Sequence, residues 1–266
     1  MLFLCLEIET KQLYLFDLLE VKQYERNHIC EKGVRSMIER FKRSAKYDMG
    51  WINENKMGPN PVWLMEELCE HMNLQKGMKV LDLGCGKAIT SIFLAKEFGV
   101  QVWATDLWIN PKENFKRISD AGVEDLVYPI KAEAHALPYA DNFFDAIVSV
   151  DAYHYFGTCD LYLMWYLKKL LKPGSEIGIV VPGLMREFGI GLPEELKGYF
   201  SEDMFTFHSA KWWRNHWSRH SFADVKLACE VEDGKNIWYA SGCDTELLSA
   251  DINDYLTFIK MIATLS

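Results

Sequence analysis

Between residues 78 and 183 the chain switches back and forth between strand-like and helix-like segments with almost no interruption. "MKVLDLG" reads as a strand and "ITSIFLAKEF" as a helix; "VQVWATD" as a strand and "PKENFKRISDAG" as a helix; "LVYPIKA" as a strand. "FFDAIVSVD" is a continuous apolar strand after an "LPYADN" turn, "LYLMWYLKKLL" is a helix ended by "KPG", and "EIGIVVPG" is another strand. Strands that are apolar along their whole length are buried on both faces. Helices between them supply the cover, which implies a mostly parallel sheet with a helical layer on each side. A length of 266 residues fits one large α/β domain with additions, or at most two small ones.

The flanks read differently. Apolar positions at helical spacing (Leu13, Phe16, Leu19, Val21, Tyr24) predict an N-terminal helical extension over residues 11–45. Residues 47–61 read as a loop, punctuated by Gly, Asn and Pro, and "VWLMEELCEHM" as the helix before the first strand. After 183 the pattern loosens into a helical, aromatic stretch at 194–220. Two strands, "ADVKLACEV" and "NIWYASG", then follow with a hairpin turn at Asp233-Gly234, and a final helix is expected over 245–264. The expected organisation is an N-terminal extension and cap at 1–57 and a catalytic domain at 58–266, with an inserted lid at about 184–220. The sheet is complete without the first 36 residues, so a chain starting at Met37 is expected to fold.

A net charge of −9 argues against a nucleic-acid partner, and "RSMIERFKRSAK" is short enough to be a solvated helix face. The seven cysteines are odd in number and form no C-x-x-C, which predicts a reduced, cytoplasmic protein without disulfides or structural zinc. The apolar run before Glu7 is too short for a signal peptide or a membrane span. His216 and His220 have metal spacing, but no glutamate follows the first, so no metal is expected.

The stretch "VLDLGCGKAIT" (80–90) runs from a strand through two glycines into a helix, the form of a cofactor cradle in a doubly wound sheet. A dinucleotide fingerprint would place its third glycine where Ile89 stands, and a P-loop would need Ser or Thr after Lys87, where Ala88 stands. The remaining template is acidic-x-G-x-G-x-G, which Asp82, Gly84 and Gly86 fit. Ala88 replaces the last glycine, adding a methyl group that disfavours positive φ.

This segment resembles the first motif of class I S-adenosylmethionine-dependent methyltransferases, and the resemblance continues over roughly 58–183. "ATDLW" resembles the end of the family's second strand, "KAEAHALPYADNFFDAIVS" its acidic-Ala-x-x-Leu-Pro-Phe segment, and "LKPGSEIGIVV" its fifth strand and preceding turn. The small-molecule branch, of the quinone-biosynthesis or type 11 kind, matches best. The resemblance implies a Rossmann-like seven-stranded sheet and S-adenosyl-L-methionine as cofactor. It implies cofactor contacts from Asp82, Gly84, Cys85, Gly86, Leu107, Ser149 and Asp151, with Asp106 on the ribose hydroxyls and Glu133 and Ala134 at the adenine. Asp82 can equally tie down its own turn, and Asp151 can offer only its backbone carbonyl.

"SVDAYHYF" (149–156) resembles the end of the fourth strand and its loop, where the family often has a histidine. His154 and Tyr153 are the catalytic candidates. An imidazole has the right proton affinity for a base, and packing beside the cofactor is the competing reading for His154. In "KWWRNHWSRH", Trp213 and Trp217 share a helical face, as an aromatic lid or as core. Trp51 and Met57 are candidates to close the site from the N-terminal side. The expected acceptor is small, partly apolar and ring-containing, and the protein a monomer or homodimer. Two rivals stand beside a methyltransferase: a non-catalytic cofactor-binding protein on the same fold, and an NAD-dependent oxidoreductase.

Overall fold

A computed structural model describes residues 35–266. Most of the expected N-terminal extension lies outside the described residues; 35–40 are helical, and Met37 and Phe41 are buried in the core.

After the helical residues 35–40, four further α-helices stand ahead of or between the first strands: α1 (Met49–Asn55), α2 (Pro61–Cys69), α3 (Ile89–Phe98) and α4 (Pro111–Asp120). Their starts follow local chemistry. Asn60 caps α2 by accepting from the Val62 and Trp63 N–H groups, and Asn110 caps α4 by accepting from Lys112. In both helices proline takes the first position, where an N–H has no intrahelical partner anyway. Gly99 ends α3 at φ +66°.

The strands are β1 (Lys79–Leu83), β2 (Gln101–Asp106), β3 (Val127–Lys131), β4 (Phe144–Val150), β5 (Leu171–Leu184), β6 (His208–Ser209), β7 (Ala223–Glu230) and β8 (Leu256–Leu265). They form one sheet in the order β3-β2-β1-β4-β5-β8-β7, with the two-residue β6 alongside β5. β1 pairs in parallel with both β2 and β4, and β8 runs antiparallel to both β5 and β7. The expected doubly wound, mostly parallel sheet is therefore present, with β6 as an addition. Strand order reverses between β1 and β4, the point at which such sheets bind ligands beyond their carboxyl ends.

The C-terminal part departs from expectation. Residues 256–265 are a strand, not the end of a helix; only α7 (Thr245–Ala250) is helical there. "LTFIKMIATL" is buried on both faces between β5 and β7, so it has no polar face from which to read a period. Asp233-Gly234 is no hairpin. Asp233 at φ +56° opens helix α6 (Gly234–Ala240), which contains most of the segment expected as a strand. The strand-favouring Ile237 and Trp238 serve instead as buried helix residues of the core, which overrides propensity.

The sheet separates two apolar layers. One holds Trp63 and Phe93, the other Tyr153, Trp213 and Trp217. Lys260 on β8 is buried and donates to Glu67 at 2.7 Å, and Arg40 reaches the same carboxylate at 2.8 Å. This triad ties residues 35–40 to the sheet, with both cations satisfied by one acid. Among the described residues no helix is long and apolar enough to cross a membrane.

Candidate active site

A cavity of about 450 Å³ opens at the carboxyl ends of β1, β2, β3 and β4. The β1 turn forms its floor. Gly84 lies at φ +78°, and its N–H and that of Cys85 donate to the Thr105 carbonyl oxygen at 2.8 and 3.1 Å. A Cβ on Gly84 would sit 2.3 Å from the Ala152 methyl group, and one on Gly86 3.1 Å from the Met57 sulfur. Two glycines are thus needed for both the turn and the close approach of its neighbours. Ala88 departs from expectation: it adopts φ +61° despite its methyl group. That strain is held by hydrogen bonds from Ala88 N–H to Cys85 and from Ile92 N–H to Ala88.

Asp82 does not line this cavity. It is buried, and its Oδ2 accepts from the Thr90 and Ser91 hydroxyls at 2.6 Å each. Burial, opposed by these two bonds, moves its carboxyl up to about 6. Asp82 therefore ties down the first turn of α3, close to the structural reading of the motif. Ser149 also lies behind the cavity, its hydroxyl donating to the Leu83 carbonyl oxygen at 2.7 Å.

Gly84, Cys85, Gly86, Asp106, Leu107, Glu133, Ala134 and Asp151 all line the cavity. Asp106 accepts from Gly86 N–H at 2.9 Å through Oδ2, and from Trp108 and Ile109 N–H at 2.8 and 3.1 Å through Oδ1. Two carboxylate oxygens offer about four acceptor sites, so one remains for a ligand while the backbone fixes the group. Glu133 bends onto its own turn, accepting from His135 N–H at 2.9 Å and meeting the His135 ring at 2.7 Å.

The two catalytic candidates do not line the cavity. Tyr153 is fully buried; its ring packs against Trp213 and Trp217, and its hydroxyl has no partner among the described residues. His154 is buried against Tyr155 and Phe207, and burial pulls its imidazole down to about 4. The neighbouring Tyr155 and Phe156 face the cavity instead. Helix α5 (Ala210–Ser218) is no lid: it packs on β7 and β8, and its Ala210-Trp213-Trp217 stripe faces the core. Met57 lines the cavity together with Lys56, Gly58 and Pro59, whereas Trp51 packs on the core. Asp203, on a 3₁₀ turn at Glu202–Thr206, also reaches the cavity. No sequence pattern marks it, because only the folded path of residues 184–207 brings it there.

A family model described as a methyltransferase domain matches residues 80–174. The chain is 31% identical over 135 residues to Methyltransferase GfsG of Streptomyces halstedii, covering 49% of this chain and 48% of that one. It is 34% identical over 113 residues to phosphoethanolamine N-methyltransferase 1 of Zea mays, 42% of this chain and 22% of that protein. The chain thus spans about half the length of one relative and about a fifth of the other. Geranyl diphosphate C-methyltransferase of Streptomyces coelicolor superposes with a TM-score of 0.64 at 12% identity, covering 76% of each chain. Phosphoethanolamine N-methyltransferase 2 of Haemonchus contortus superposes with a TM-score of 0.64 at 20% identity, covering 81% of this chain and 55% of that one. Residues 80–174 thus match the model of a methyltransferase domain, and the sheet has the fold of solved methyltransferases.

Proposed function

We propose that the protein transfers a methyl group from S-adenosylmethionine to a small-molecule acceptor. The observation that carries this reading is the bare Gly84–Gly86 turn, with the backbone-anchored Asp106 carboxylate at one side of the same cavity. The residues present fit the cofactor. Asp106 keeps one acceptor site for a ribose hydroxyl, and the two glycines let a ligand lie against the backbone. Ile89, buried where a dinucleotide-binding turn has its third glycine, opposes the oxidoreductase alternative.

When bound, S-adenosylmethionine supplies a sulfonium-activated methyl group for in-line displacement. The chain's own part is to bind, orient and exclude water. Asp106 fixes the ribose end, with Leu107, Glu133 and Ala134 beside the adenine. Met57, Tyr155 and Phe156 supply an apolar wall for the acceptor, in keeping with a partly apolar, ring-containing molecule. We read residues 1–57 as the cap of this domain, supported by the lining that Asn55, Lys56 and Met57 provide.

Calorimetry with S-adenosylmethionine, S-adenosylhomocysteine and NAD tests the cofactor, and mass spectrometry over a panel of small-molecule acceptors tests transfer. Binding of the first two without NAD, together with a product heavier by one methyl group, is expected. Cofactor binding with no product over a broad panel would favour a non-catalytic protein. NAD binding in preference would overturn the reading.

A further inference from the structure

The sheet gives the cavity two unlike ends. β2 and β4 flank β1, so the residues at their carboxyl ends stand two strand spacings apart, roughly 10 Å. At the β2 end Asp106 is held by three backbone N–H groups. At the β4 end Asp151 lines the cavity, and its carboxylate accepts no hydrogen bond from any described residue. Its backbone sits at φ +54° with its N–H donated to Val180, which fixes where the side chain starts. Its Oδ2 lies close against Gly58: a Cβ there would be 2.3 Å from that oxygen. The side chain is therefore enclosed between the β4 end and the loop before α2.

The charges around this end do not balance. Asp203 lines the same cavity, and the Asp244 carboxylate lies near enough to raise the Asp151 carboxyl further. The two lysines at the cavity are directed at carbonyl oxygens: Lys56 donates to Ser241, and Lys87 lies 3.5 Å from the Glu54 oxygen. Among the described residues no arginine lines the cavity. A carboxylate left without donors in a part-closed cavity is stabilised by a ligand that brings N–H donors and positive charge. A phosphate there would meet like charge with no guanidinium to receive it.

We propose that Asp151 binds the acceptor, and that the cavity selects a molecule carrying a protonated aliphatic amine and rejects one carrying a phosphate. This rests on the methyl-transfer reading and narrows it to N-methylation. It runs opposite to the phosphate-bearing acceptors after which some of the similar proteins are named. In the step itself, the bound ammonium gives one proton to the Asp151 carboxylate, leaving a neutral amine and a carboxylic acid. The nitrogen lone pair forms the new N–C bond while the methyl–sulfur bond breaks, its electron pair staying on sulfur as a thioether. The product leaves as a methylammonium, and Asp151 returns its proton to solvent. Burial, with Asp244 nearby, pushes the Asp151 carboxyl up to about 7, which suits a group that takes and returns a proton near neutrality.

The test uses the full chain saturated with S-adenosylhomocysteine at pH 8. Three probes with one carbon skeleton are titrated by calorimetry: 2-phenylethylamine, 2-phenylethanol and 2-phenylethyl phosphate. The amine is expected to bind best and the phosphate worst. Asp151→Asn is expected to weaken the amine about tenfold or more, the loss of one charge-assisted hydrogen bond, with the alcohol and S-adenosylhomocysteine unchanged. A second measurement needs no variant. Wild-type affinity for the amine should fall as pH drops from about 8 to about 6, while Asp151 takes up its proton. The groups facing Asp151 are Asp203, Asp244, Tyr155, Cys243 and Lys56, and Tyr155 is pushed up to about 12, outside that range. Equal binding of amine and alcohol by the wild type would overturn the proposal while leaving cofactor binding intact. Loss of S-adenosylhomocysteine affinity in Asp151→Asn would also overturn it, since the carboxylate would then serve the cofactor's own ammonium. Failure of the wild type to bind S-adenosylhomocysteine at all would instead remove the methyl-transfer reading, and this inference with it.

Discussion

Asp106 and Asp151 are carboxylates one strand to either side of β1, on the same cavity, and they are held in opposite ways. Asp106 sits in a ring of three backbone N–H groups, Gly86 from the turn after β1 and Trp108 and Ile109 from the turn after β2. Among the described residues Asp151 has no such ring, and its carboxyl is pushed up to about 7. The first arrangement fixes a charge in advance, as a rigid ligand contact requires. The second leaves a charge that a ligand or a proton must complete. Perturbed, unpartnered groups of this kind concentrate at functional sites, at a cost in stability.

Four experiments bear on this contrast. Gly84→Ala should have the largest effect, because it strikes the hinge between the two ends. The new methyl group would meet Ala152 at 2.3 Å on a backbone at φ +78°. Left-handed backbone costs an L-residue about 1–2 kcal/mol, and a shift of about 1 Å in a reacting geometry costs on the order of 100-fold in rate. Calorimetry should find S-adenosylhomocysteine affinity almost lost. Near-normal affinity would show that the turn does not contact the cofactor.

Asp106→Ala comes next. It should weaken S-adenosylhomocysteine by about 1.5–3 kcal/mol, the range for a hydrogen bond to a charged group. Unchanged affinity would remove Asp106 from the ribose.

Asp151→Asn should act with the opposite sign on stability. Its folded carboxyl lies above the ordinary 3.8, so its stabilising contribution is full below about 4 and is lost as pH rises through about 7. At pH 8 the ligand-free variant should melt higher than the wild type, and at pH 4 the advantage should vanish. Asp82 shifts in the same direction but is common to both proteins, so it cancels in the comparison. A variant that melts lower at pH 8 would mean that the ionised carboxylate has a partner.

His154→Gln should have the smallest effect. An imidazole held near 4 does not change charge between about pH 6 and 9, so the pH profile of turnover should keep its shape. A profile that loses a limb in that range would restore His154 as the base.

The two halves of the sheet differ in how plainly the sequence shows them. From the helix before β1 to the one before β3, local chemistry marks helix boundaries: Asn60, Gly99 and Asn110. β8 is flanked by antiparallel partners and buried on both faces, so its apolar run fits a helix and a strand equally well by period. "NIWYASG" has strand-favouring residues, yet it is a helix because Ile237 and Trp238 reach the core from that conformation. Trp213 and Trp217 share a helical face in either reading, and nothing local says whether that face meets a ligand or the sheet.

The doubly wound sheet, the glycine turn at its reversal point and the carboxylate that ends β2 were legible in the chain alone, because hydrophobic period and turn residues are local patterns that write themselves into consecutive positions. Which groups face the cavity depends on packing between segments far apart in the chain. Asp82 is turned away by two hydroxyls from α3, Tyr153 and His154 are drawn under the β4 end by aromatic packing, and Asp203 is carried in from a loop about fifty residues distant. Among the described residues, Asp151 is left unpartnered for the same reason. A charge is satisfied or not according to everything packed around it, and segments as far apart in sequence as Gly58 and Asp244 set that environment.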